Sequence, residues 1–166
     1  MAVLLVVAVA WLGFRATRAF DQDRHAAQAA AVLTAPDKVT HDLPPVPTFP
    51  SRPDIGPRGQ FAYRPGTWLS VVDLHGLDPT AGGGRYLVFL RNWAGWTLAG
   101  AARPRPDGTA QVRSGAEPRP PTVYEVVVTW GVDDATSVPH GQPLLHWFDG
   151  SLGPPRAVPF NFARGA

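Results

Sequence analysis

Between residues 59 and 150 the chain alternates apolar and polar residues with period two, in runs of four to nine residues broken by Pro/Gly turns. That pattern admits few folds. Residues that alternate sides of a strand bury one face and wet the other, and turns at such short intervals leave no room for crossover helices. Seven strands are expected: Phe61–Arg64, Thr67–Leu74, Arg85–Leu90, Thr97–Ala102, Ala110–Arg113, Thr122–Trp130 and Leu144–Phe148. In the second, Trp68, Ser70, Val72 and Leu74 share one face, and Leu69, Val71 and Asp73 the other. No helical period longer than a turn follows Leu33. The fold class is therefore all-β: an antiparallel β-sandwich of about seven short strands, preceded by an N-terminal membrane or stalk helix, with an open barrel as the alternative. The 19 prolines and 17 glycines agree with a turn-rich β domain, and 166 residues suffice for one domain plus an extension.

The N-terminal part is of a different kind. Residues 1–14 (MAVLLVVAVAWLGF) carry no charge and read as a transmembrane segment, although about 21 Å of helix falls short of the roughly 30 Å hydrocarbon core. A secretion signal would need a basic start and a small-residue cleavage motif, and neither is present. A start that is cut or misplaced, with the helix beginning upstream, accounts for both faults. Arg15 and Arg18 follow the run, where the positive-inside rule alone would hold the remainder on the cytoplasmic side. Residues 15–35 form an alanine-rich helical stalk ended by Pro36, with an apolar side too thin for a core element. Residues 36–58 read as a Pro-rich linker of extended geometry, and residues 151–166 as an irregular tail.

Composition excludes several chemistries. Without cysteine there are no disulfides, thiolate metal sites or thiol nucleophiles. The net charge of +2 is spread over loop arginines and the single Lys38, which argues against nucleic-acid binding. The five histidines lie at no ligand spacing; histidine and aspartate could still meet in space, for instance His140 with Asp133 and Asp134, but neither a metal nor a cofactor is expected. No serine stands in a nucleophile-elbow context, and Gly82–Gly84 lacks the helix and lysine of a phosphate loop, so no enzyme is expected. One surface candidate remains, the pair Trp93 and Trp96 in RNWAGWTL, at a hairpin between two strands. Paired exposed indoles stack on sugar rings or anchor a partner protein. Alternatively, one caps the core and the other covers the hairpin.

Taken in order, VLTAPDK, GQFAYRPGTWLSVVDLHGLDP, GRYLVFLRNWAGWTLAG, DGTAQV, VYEVVVTW and SVPHGQPLL make residues 30–148 resemble the extracytoplasmic domain of anti-sigma-K factors (the RskA type). Two departures stand out: Phe89 occupies a position where that family has tryptophan, and WGVDDATSVPHG lacks its Glu-Pro-x-Gly-Gly-Ser stretch. The resemblance implies a single-pass membrane protein with its C-terminal domain outside the cytoplasm. That domain would sense a signal or gate a regulatory protease, and so regulate transcription. A sigma factor would be a partner only through a cytoplasmic module that these residues do not contain.

Overall fold

The computed structural model describes residues 26–46, 56–78, 84–115, 122–131 and 138–152. The transmembrane expectation for residues 1–14 and most of the tail at 151–166 lie outside them. Among the described residues, no helix is long and apolar enough to cross a membrane.

Eight strands form among the described residues, against the expected seven or so: β1 Val39–Leu43, β2 Arg58–Tyr63, β3 Ser70–His75, β4 Arg85–Asn92, β5 Gly95–Ala102, β6 Ala110–Ser114, β7 Glu125–Gly131 and β8 Gln142–Phe148. They make two antiparallel four-stranded sheets, in the orders β1-β2-β3-β6 and β5-β4-β7-β8. One core lies between them. Leu43, Phe61, Val72, Leu74 and Val112 of the first sheet meet Tyr86, Val88, Leu90, Val126, Val128 and Leu145 of the second. The arrangement is sandwich-like, one of the two that the period-two pattern admits.

Two expectations need correction. The first is the linker: β1 lies inside residues 36–58, registered on β2 from Val39↔Tyr63 to Leu43↔Gly59. Its sequence, VTHDL, hides the strand because one inward position is a histidine. His41 packs on Phe61, Tyr63 and Trp147, with ring centroids 6.3, 6.1 and 4.2 Å away. Burial against these rings makes His41 act as an aromatic filler. Two of the prolines that suggested a spacer, Pro44 and Pro45, instead join the two sheets. Pro45 bridges Leu145, the Val46 amide donates to the Leu144 carbonyl (2.9 Å), and the His146 amide donates to Pro44 (3.1 Å).

The second correction concerns the described part of the stalk, its first residues 15–25 lying outside the described ones. Residues 26–33 are helical (α1), but they lie on the protein rather than leaving it. Ala29 and Val32 are each 2% exposed and form a second cluster with Ala62 and Val71 on the outer face of β2 and β3. Small side chains allow the helix to approach the sheet closely, so a thin apolar stripe is sufficient. Past the helix, Arg64 pairs with Asp37 at 3.0 Å, tying the helix exit to the β2–β3 turn.

β4 and β7 also depart from simple alternation. Their central residues are buried on both faces: Tyr86 through Leu90 on β4 and Glu125 through Thr129 on β7. Leu87, Phe89, Val127 and Thr129 point away from the shared core, and His140 stands edge-on to Phe89 at 5.6 Å. The near-continuous apolar runs YLVFL and VVV are the signature of such doubly covered strands.

Candidate functional site

The β4–β5 hairpin turns at Trp93-Ala94. The Asn92 side chain accepts a hydrogen bond from the Ala94 amide (3.0 Å), and Gly95 takes a positive φ of 126° that suits only glycine. Beside this turn, Arg91 of β4 registers with both Trp96 of β5 and Glu125 of β7. A three-strand row therefore brings together an indole, a guanidinium and a carboxylate. Tyr124, just before β7, is fixed by its amide bond to the Arg91 carbonyl (3.1 Å) and by its own carbonyl, which accepts from the Asp149 amide (2.8 Å).

The side chains then stack in a line. The Arg91 guanidinium lies 5.3 Å from the Trp96 ring centre and 5.7 Å from that of Tyr124. Trp93 extends the line, its ring 5.0 Å from Tyr124 and tilted by 46°. Phe148 supports Tyr124 edge-on from β8, at 6.3 Å. A guanidinium between two aromatic faces gains cation–π attraction of about 0.5–2 kcal/mol per ring, depending on how dry the contact is.

Glu125 orients this stack. Its side chain is 5% exposed, which for a carboxylate is tolerable only with strong partners. Arg91 Nη1 donates to one oxygen at 3.0 Å, and His146 Nε2 contacts the other at 2.9 Å. The three groups come from three adjacent strands. The carboxylate thus holds the guanidinium in the plane the two rings need.

Neither sequence-predicted indole belongs to the hydrophobic core. Trp93 is 71% exposed, the most exposed large apolar side chain among the described residues. Trp96 is half-buried against Arg91, so it serves as the base of the stack and Trp93 as its open end. Arg91, Tyr124, Glu125 and His146 were not singled out from sequence. The signal was available only for Arg91 and Glu125, a charged residue at each end of an apolar strand. No cluster of three or more metal-ligating side chains occurs among the described residues, and Asp133 and Asp134 lie outside them.

In comparisons with known proteins, no family, no curated protein and no solved structure matches this chain.

Proposed function

We propose that this chain is a non-catalytic recognition domain, a membrane-anchored β-sandwich held outside the cytoplasm that presents Trp93 to a partner protein. The observation that carries the reading is the exposure of Trp93 at the end of a braced stack. A single exposed indole is ordinary on a protein surface; what supports the reading is its company, since Trp, Tyr and Arg are the side chains enriched among the residues that dominate protein–protein binding energy. Rigidity matters because a pre-positioned side chain loses little entropy on binding. The tilt of 46° between Trp93 and Tyr124 favours a protein over a glycan, since the two rings do not make one plane along which successive sugars could lie.

Photo-crosslinking tests this reading. A photoreactive phenylalanine analogue at position 93 in native cells should give one discrete protein adduct, and the same analogue at Trp68 should not. Adducts at both positions, or none at 93, would overturn it. A glycan partner would show instead as a fluorescence change on titrating cell-wall sugars.

A second reading is favoured by the docked helix. As the outer domain of an anti-sigma-factor-like regulator, the sandwich would pass a signal at Trp93 to the membrane through α1, which Ala29 and Val32 fasten to β2 and β3. It gains support from the order of the family-like stretches along the chain. An in-frame sigma-binding module upstream, beside a sigma-factor gene, would support it; a stop codon directly before Met1 without such a neighbour would count strongly against it.

A further inference from the structure

The outer face of the β1-β2-β3-β6 sheet is divided in two. One row, through Ala62 and Val71, lies beneath α1. The next outward row is open and polar across all four strands: Asp42 opposite Gln60, Gln60 opposite Asp73, and Asp73 opposite Gln111. Carboxylates and carboxamides alternate along it. Gln60 Nε2 donates to Asp42 Oδ1 at 3.0 Å, and Gln111 Nε2 to Asp73 Oδ1 at 3.4 Å. His75 Nε2 lies 3.2 Å from the second Asp73 oxygen. One position further, Arg58 stands opposite His75 and makes no ion pair among the described residues.

This row opens into a cleft of about 410 Å³ lined by Asp42, Leu43, Pro44, Pro45, Arg58, Gly59, Gln60 and His75. The size matches a small-molecule site. Its proline wall is fixed to β8 by the bridge and the two backbone hydrogen bonds that join the sheets. Gly59 faces the core behind the cleft, where a Cβ would come within 2.8 Å of the Leu74 side chain and 3.1 Å of Leu145. The cleft therefore has a rigid apolar wall facing a hydrogen-bonded polar row.

We propose that this cleft binds a neutral saccharide. A carboxamide both donates and accepts, a carboxylate accepts through two oxygens, and a guanidinium donates in a fork; together they match neighbouring hydroxyls on a sugar ring. The ring's apolar face would rest on Pro44 and Pro45. One carboxylate, Asp42, against one guanidinium, Arg58, leaves the lining with no net formal charge, which favours an uncharged ligand. A metal ion is disfavoured because Asp42 already accepts from Gln60, and Asp73 from Gln111 with His75 beside it. A protein partner would want a large aromatic anchor, and no Trp, Tyr or Phe lines the cleft. The site is independent of Trp93, which belongs to the other sheet.

The test is a backbone-amide NMR titration of the full 166-residue chain, in a detergent without a sugar headgroup, with cellotetraose, chitotetraose and trigalacturonate. At least one neutral sugar should give saturable shifts around Asp42, Gln60 and His75. Arg58→Ala and Gln60→Ala, both at exposed positions, should each weaken that binding by about tenfold, the loss of one to two hydrogen bonds. Trp93→Ala should leave it unchanged, so the outcome is separable from that of the hairpin site. No saturable shift with either neutral sugar, preference for trigalacturonate, or shifts centred on the β4–β5 hairpin would each overturn the proposal.

Discussion

Replacing Glu125 by alanine should destabilise the protein by about 2–3 kcal/mol and loosen the Trp93 platform. The magnitude follows from the partners. Removing one member of a fully buried ion pair costs about 3–5 kcal/mol, because the remaining charge is stranded away from water. Arg91 would be stranded here, but its side chain is 21% exposed, so water recovers part of that cost. His146, at 39%, recovers most of its own. Denaturant unfolding followed by circular dichroism at neutral pH measures the loss as a lower midpoint at unchanged slope. The double variant Arg91→Met with Glu125→Leu removes the charges together and should fall within about 1 kcal/mol of the parent. The reasoning is refuted if Glu125→Ala costs less than about 0.5 kcal/mol, or if the double variant is as unstable as the single one.

Three further outcomes are expected. Val32→Asp should release α1 while leaving the sheets intact, at a cost of about 1.5–3 kcal/mol for the lost apolar burial; hydrogen exchange should accelerate over residues 26–33, and loss of protection in β2 or β3 would contradict this. Thr129 is fully buried and its hydroxyl has no hydrogen-bond partner among the described residues, so Thr129→Val should raise the unfolding free energy by up to about 1 kcal/mol, read as a higher midpoint; a lowered midpoint would show that the hydroxyl has a role. Burial among aromatic rings pushes the His41 pKa below its ordinary 6.5, outweighing the opposing pull of the Asp149 carboxylate. The unfolded chain then binds more protons as the pH falls through 6.5, so this contribution is full above 6.5 and is lost on acidification toward the lower folded value. His41→Gln should flatten the acid limb of a melting-temperature profile, and an unchanged profile would contradict the assignment.

How far the sequence could be read depended on whether a feature was local. The seven expected strands all appear because alternation and Pro/Gly turns are written within a few residues of each other. Val39–Leu43 was missed because a histidine fills an inward position and the prolines after it join the sheets instead of spacing them. Residues 26–33 were misplaced because alanine and valine at a close helix–sheet contact look, in sequence, like a stripe too thin to pack. The pairings that make each site are non-local. Arg91 and Glu125 are 34 residues apart, and Asp73 and Gln111 are 38. Only strand register brings them together, and a single sequence does not display register. Trp93 was legible for the opposite reason, since a hairpin turn exposes whatever it carries.

The central claim is that Trp93 is held out to a partner, and hydroxyl-radical footprinting tests it most directly. The full chain should be compared purified and in its native cells, reading oxidation at Trp93 by mass spectrometry. The account predicts rapid oxidation of Trp93 in the purified protein and clear protection in the cells, with Trp68 changing little. Slow oxidation in the purified protein would contradict the exposure, and equal oxidation in both would contradict the partner.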